Sequence, residues 1–238
     1  AWSVALLGGI SATLCTVVVA LVVPGTPEAA DLWWAALAGV GSGFGTGFLY
    51  RGFASGRMGV VAPVSAVGAA VVPVLVGTVT GERPSLLVWV GIVLAMPGIW
   101  LVASEPADDL SRIELSAGRG ESGARGGLAD GLVDGLVAGL AFGLLFAALG
   151  QVPDSAGLWP LVLAQAVSVP VVVLLATALR ASWVPQGRFV HWAWLAGPLG
   201  AVAVTAFLLA TQRGFLTIAG VLASLYPAVT VLLAALVL

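Results

Sequence analysis

Polar side chains are rare inside the long apolar segments of this 238-residue chain, so those that occur there are the first candidates for chemistry. Ser42 and Thr46 lie four residues apart, which places both hydroxyls on one face of a helix. Gln165 carries an amide that needs several hydrogen-bond partners. Such groups predict a polar path for a small solute, and the candidate binding residues are Trp34, Ser42, Thr46, Tyr50, Ser65, Gln165, Ser168, Thr205, Ser224 and Tyr226.

The hydroxyls also have a simpler interpretation, because Ser and Thr in helices commonly donate a hydrogen bond to a carbonyl of the preceding turn. That alternative applies to each Ser and Thr of the candidate set. Gln165, Tyr226 and Trp34 are therefore the strongest candidates for lining a cavity.

Two further features suggest movement or coupling. Asp134 follows Asp130 by four residues at the start of an apolar segment. Both fit a solvated helix N-terminus, but a carboxylate deeper in the membrane would make Asp134 a candidate for proton coupling. Pro63 and Pro227 interrupt apolar segments and are candidate hinges, because a proline removes one helical hydrogen bond.

Several classes of function are not expected from this sequence. One cysteine, Cys15, and one histidine, His191, give no cluster of metal ligands. We find no catalytic or phosphate-binding motif in a suitable context, so we expect no enzyme, no metal and no cofactor. The formal net charge of −2, without clustered basic residues, argues against binding nucleic acid.

Composition predicts an all-α polytopic membrane protein. Hydrophobic residues make up 60% of the chain and charged residues only 8%, about a third of the charged fraction of a soluble domain. The lipid bilayer is therefore an expected partner. Runs of about 20 apolar residues predict eight transmembrane helices, at approximately 2–23, 32–50, 60–79, 85–102, 128–148, 158–179, 190–211 and 218–238.

The arginines predict how these helices are oriented. Seven of the nine fall in three loops that share one side, and they include Arg51 and the arginines of the polar segment 105–127. Arg83 and Arg213 fall on the other side. Because positively charged loops face the cytoplasm, we expect a multi-pass protein of the cytoplasmic (inner) membrane, with 105–127 as a cytoplasmic linker.

The chain also matches itself when it is shifted by 158 residues. Trp34-Ala35-x-Leu37-Ala38-Gly39 then falls on Trp192-Ala193-x-Leu195-Ala196-Gly197, and the same shift aligns Leu75 with Leu233. We therefore expect two repeats, 1–104 and 128–238, with the first lacking its first helix and the second its last. A complete repeat would have five helices. Because five is odd, the two copies would have inverted topology, as in many secondary transporters.

Glycines recur at helical spacing in two of the predicted spans. Gly39, Gly43 and Gly47 repeat every four residues in the second, and Gly135, Gly139 and Gly143 do so in the fifth. Small residues at this spacing let helix backbones approach closely in lipid. These faces predict tight helix packing, and they are compatible with helices that slide during transport.

With these features the sequence resembles the EamA branch of the drug/metabolite transporter superfamily. The resemblance lies in the five-plus-five plan, Gly-Glu-Arg-Pro at 81–84, Ala-Pro-Val-Ser at 62–65, Gly-Leu-Ala-Phe-Gly-Leu-Leu-Phe at 139–146 and the segment 223–234. It implies an inner-membrane carrier of small metabolites that binds its substrate between the repeats.

The sequence therefore favours a secondary transporter that moves a small metabolite or drug-like solute by alternating access, driven by a gradient or by exchange. The alternative is a membrane scaffold or accessory subunit that transports nothing. A dry, solid interior would favour the scaffold, and a wet cleft between the halves would favour transport.

Overall fold

A computed structural model of the chain describes residues 2–55, 58–103, 121–181, 193–226 and 229. These residues form helices and no strand, which confirms the all-α class. The helices are α1 (Trp2–Ala20), α2 (Ala29–Ala54), α3 (Met58–Val79), α4 (Leu86–Ala103), α5 (Glu121–Leu149), α6 (Trp159–Ala178), α7 (Ala193–Arg213) and α8 (Leu216–Ala223), with one 3-10 turn at Asp154–Ala156.

Five apolar stretches of the described helices are long enough to cross a membrane. They are Trp2–Ala20, Val60–Val79, Asp130–Leu149, Trp159–Ala178 and Ala193–Arg213. Helix α2 has 26 residues but contains none of these five stretches. Large apolar side chains cover much of the outside of the bundle, such as Leu86 at 81% exposure. The protein is therefore membrane-embedded, and the count of eight spans remains a prediction.

The connections define two ends of the helix bundle. Helix α2 ends beside Arg51, close to where α3 begins, and Glu82 follows α3 at its other end. Twenty-two helical residues separate these points by about 33 Å. The Thr26 amide donates a 2.8 Å hydrogen bond to the Ser155 carbonyl, so the loops after α1 and α5 meet. We call the two ends the Arg51 end and the Glu82 end.

Helix α2 packs between α5 and α6 because glycines remove the side chains that would hold them apart. A Cβ on Gly41 would lie 2.6 Å from the Ala141 carbonyl oxygen of α5, and a Cβ on Gly39 would lie 2.5 Å from the Ala164 carbonyl oxygen of α6. Each face of α2 therefore contacts a neighbouring backbone almost directly. These contacts confirm the packing interpretation of the α2 glycines.

The glycine face of α5 meets α3 in the same way. A Cβ on Gly139 would come 2.8 Å from the Ser65 carbonyl oxygen and 3.0 Å from the Cα of Gly68. Helix α3 also packs against α8 and α4, and α1 packs against α6 and α7. Helices from the first half of the chain are thus interleaved with helices from the second.

The main apolar core lies toward the Glu82 end. It joins the start of α2 to the end of α5, the start of α6, the last turns of α7 and the start of α8. Leu149, Leu161 and Leu208 are fully buried in this cluster. The interior is therefore filled at the Glu82 end.

Candidate functional site

A cavity of about 380 Å³ lies between helices from both halves of the chain. Helices α1, α2, α5, α6 and α7 contribute to its wall, together with Tyr226. Much of the lining is apolar, including Val4, Leu49, Phe142 and Val172. Its volume falls within the range of about 300–1,000 Å³ that is typical of small-molecule sites. The lining extends from the middle of the bundle toward the Arg51 end, where Val4 and Leu49 lie.

Six of the ten candidate binding residues lie on this wall, and they bring polar groups from three regions together. They are Ser42, Thr46, Tyr50, Gln165, Ser168 and Tyr226. The others lie elsewhere: Trp34 is 40% exposed near the start of α2, Thr205 is half-buried on α7, and Ser65 and Ser224 are fully buried. The cavity is therefore mainly apolar, with a few convergent polar groups.

The amide of Gln165 is held in one orientation by a neighbouring helix. Its Nε2 donates a 3.0 Å hydrogen bond to the Thr16 hydroxyl. Thr16 donates its own proton to the Ala12 carbonyl at 2.8 Å, so its oxygen can only accept from Gln165. Within the described part of the chain, Oε1 of Gln165 accepts no hydrogen bond. Sequence reasoning missed Thr16, although it lies in the apolar α1 as the other candidates lie in their helices.

The candidate hydroxyls divide into two groups. Four donate back to their own helix, as the simpler interpretation predicted: Ser65 to Ala62, Ser168 to Gln165, Thr205 to Ala201 and Ser224 to Val221. Ser42 and Thr46 make no hydrogen bond to any residue that the structure describes. Their hydroxyl protons are therefore available to a molecule in the cavity.

Tyr226 is linked to the first half of the chain by Ser65. The two hydroxyl oxygens lie 2.9 Å apart. The Ser65 hydroxyl also lies 3.0 Å from the Ala62 carbonyl oxygen, so it is held between that carbonyl and the Tyr226 hydroxyl. This bond places the phenol of Tyr226 at the cavity, across the junction between α3 and the end of α8.

At the Arg51 end, an ion pair joins the two halves. The Nε of Arg51 donates a 2.8 Å hydrogen bond to Oδ1 of Asp134, and its Nη2 bonds to the same oxygen. Asp134 is 1% exposed and Arg51 is 36% exposed. The guanidinium also lies 4.6 Å from the centroid of the Phe48 ring. Asp134 is thus neither a simple solvated cap nor an isolated carboxylate, and its proposed part in coupling remains a prediction.

Space is also present beside this ion pair. A second cavity, of about 440 Å³, is bordered by Trp2, Arg51, Ala54, Ser55 and Asp130. It lies at the end toward which the lining of the first cavity extends. The Arg51 end therefore combines open space with a charged contact.

At the Glu82 end, a carboxylate caps a helix of the opposite half. Oε1 of Glu82 accepts from the Leu216 amide at 2.5 Å, and Oε2 accepts from the Thr217 amide at 2.9 Å. The Thr217 hydroxyl donates to Oε2 as well. The carboxylate thus binds the N-terminus of α8, where backbone amides are unsatisfied and negative charge is favoured.

The remaining predictions concern hinges and metals. Pro63 is fully buried in α3, and its role as a hinge remains a prediction. Pro227 lies outside the described residues. In the described ranges, no three His, Cys, Asp or Glu side chains group so as to hold a metal ion.

Comparison of the chain with protein-family models, curated proteins and solved structures finds no match. Function must therefore be inferred from the cavity between the two halves and from the contacts that close each end of the bundle.

Proposed function

We propose that the protein is a secondary transporter of the EamA type, which moves a small solute across the cytoplasmic membrane by alternating access. The observation that carries this proposal is the cavity of about 380 Å³, whose wall is built from both halves and holds Ser42, Thr46 and Gln165. A scaffold has no need of such a space, and polar groups inside an apolar bundle are costly unless they serve a function. The cavity therefore favours transport over scaffolding.

The inverted repeat is part of this proposal and is supported by one pair of glycines. The 158-residue shift aligns Gly39 with Gly197. A Cβ on Gly39 would meet the Ala164 carbonyl oxygen and the Val167 side chain of α6, and a Cβ on Gly197 would meet the Gly8 carbonyl oxygen and the Ser11 hydroxyl of α1.

In each case the two contacted residues lie three positions apart on the partner helix. The first residue contributes its carbonyl oxygen and the second contributes its side chain. Helix α2 thus packs on α6 as α7 packs on α1. The pairing of α2 with α6 and of α7 with α1 is the one expected of two copies related by a pseudo-twofold axis, although the contacted residues of α1 lie two positions beyond the 158-residue register.

The contacts at the two ends would serve as alternating closures. Arg51–Asp134 and Glu82–α8 each join one half to the other, and they lie at opposite ends of α3. Both contacts are formed in the described state, and rocking of the halves would separate either the Arg51–Asp134 contact or the Glu82–α8 contact while the other stays formed. With the Arg51 end in the cytoplasm, as the distribution of arginines predicts, the described state has its cavity extending toward the cytoplasm.

Transport through the cavity can be tested by filling it. Gly200 lines the cavity, and a Cβ there would meet nothing within 4 Å, so Gly200→Phe adds a ring at the cavity wall without a backbone clash. Gly91 of α4 is equally open but lies away from the cavity, and Gly91→Phe is the matched control. Solute exchange is measured in proteoliposomes with a library of charged and uncharged metabolites.

We expect the wild type and Gly91→Phe to exchange at least one solute and Gly200→Phe to exchange none. Exchange by Gly200→Phe at the wild-type rate would show that the cavity is not the path. A wild type that moves no solute under any imposed gradient would contradict the transporter proposal itself.

A further inference from the structure

The charges around the cavity limit what it can hold. No ionisable acid or base contributes to its wall among the described residues, apart from the phenols of Tyr50 and Tyr226. At the Arg51 end, Arg51 and Asp134 are paired with each other. An ion that left water for this wall would find no counter-charge among the lining residues that the structure describes, and an unpaired charge in an apolar site is very costly. The cavity therefore fits an uncharged molecule.

The hydrogen-bonding groups of the wall define the polar part of that molecule. Ser42 and Thr46 lie one turn apart on α2, and their hydroxyls have protons to donate. On α6, the Oε1 of Gln165 can only accept, because the Thr16 contact fixes the amide. A molecule that satisfies both sides must offer an acceptor toward α2 and a donor toward α6. A carboxamide carries both, an acceptor oxygen and a donor nitrogen bonded to the same carbon.

The rest of the wall suits an apolar body. Phe142 and Phe146 of α5 face the cavity together with Val169 and Val172 of α6. Rings and branched aliphatic side chains favour contact with an aromatic or aliphatic group.

We propose that the cavity selects uncharged amphipathic solutes that have an apolar body and a neutral carboxamide-like group, with the carbonyl received by Ser42 and Thr46 and the N–H by Oε1 of Gln165. This inference rests on the proposed function, because it names the substrate class of the same cavity. The inference depends only on the residues that line the cavity, however, and solute binding to them can be measured without measuring transport.

The test uses four small molecules of nearly equal size. Phenylacetamide is neutral and carries both groups, methyl phenylacetate is neutral but lacks the N–H, phenylacetate is an anion and 2-phenylethylammonium is a cation. Binding to the full chain in lipid nanodiscs is measured by ligand-observed NMR, with empty nanodiscs subtracted. We expect phenylacetamide to bind, the ester to bind about tenfold more weakly, and both ions about a hundredfold more weakly.

Substitutions of Ser42, Thr46 and Gln165 test whether these side chains cause the preference for the amide over the ester. Gln165→Leu should bring the amide and the ester to equal affinity, and Ser42→Ala with Thr46→Val should weaken both about tenfold. Gln151→Leu is the matched control, because Gln151 bonds to the Ala147 carbonyl outside the cavity, and it should keep the wild-type preference. Monodispersity and helicity establish that each variant folds.

Equal binding of the anion or the cation would overturn the inference, as would absence of phenylacetamide binding or an amide preference that survives Gln165→Leu. The outcomes separate the two proposals. Selective binding with no transport would contradict the transporter alone, whereas transport without this selectivity would contradict the substrate class alone.

Discussion

At the Glu82 end of the bundle, fully buried leucines from α5, α6 and α7 fill the interior, whereas the Arg51 end holds open space beside the Arg51–Asp134 ion pair. Leu149, Leu161 and Leu208 belong to a continuous apolar cluster, and Glu82 caps α8 at the same end. At the Arg51 end, Asp134 is buried but its partner Arg51 remains in contact with the outside.

The two ends therefore differ in how easily the contact between the two halves of the chain can separate. In lipid, helix association depends on packing rather than on removal of apolar surface from water. Interlocked leucines lose many contacts when they part, but a half-exposed guanidinium can exchange its partner for water. We therefore expect the Glu82 end to be the more stable closure in the described state.

The largest expected effect comes from weakening the packed end. Leu161→Ala leaves a hole in the apolar cluster and should lower the free energy of unfolding by about 2–5 kcal/mol. Leu49→Ala, at the cavity wall, enlarges existing space and should cost less than about 1 kcal/mol. Thermal unfolding in detergent compares the two variants. Equal losses would mean that the two ends are packed alike.

A smaller effect is expected from the ion pair. Asp134→Ala leaves Arg51 without its carboxylate, and we expect a loss of about 1–2 kcal/mol, less than for a fully buried pair because Arg51 reaches water. Replacing both residues by leucine removes the stranded charge and should cost less than Asp134→Ala alone. The same unfolding assay measures both. A double variant that is less stable than the single one would show that the ion pair itself stabilises the contact between the two halves.

The polar part of the cavity wall could be predicted from the sequence because it depends on local spacing. Ser42 and Thr46 share a helix face whatever the helix packs against, and an amide such as Gln165 needs partners in any apolar setting. The same reasoning does not place Trp34, which is not among the residues that line the cavity. In a membrane, both the lipid and the protein interior are apolar, so hydropathy does not fix which face of α2 turns outward, and Trp34 lies 40% exposed.

The long-range contacts could not be predicted, because they depend on how separate helices are placed. Arg51 and Asp134 are 83 residues apart, and Glu82 is 134 residues from Leu216. The adjacent Arg83 offered a simple partner for Glu82, but the free amides at the start of α8 bind its carboxylate instead. A helix N-terminus acts as a partial positive charge that no count of charged residues includes.

The most direct test of the account is whether the cavity opens to each side of the membrane in turn. In a Cys15→Ala background, Ser42→Cys places a single thiol at the cavity wall, and Ala38→Cys places one a turn away in the fully buried cluster. A membrane-impermeant thiol reagent is applied to vesicles of either orientation. We predict that Ser42→Cys reacts only from the Arg51 side at rest and from the Glu82 side as well once a transported solute is added, while Ala38→Cys stays unreactive at rest. Labelling of Ser42→Cys from neither side, or equally from both sides at rest, would contradict alternating access.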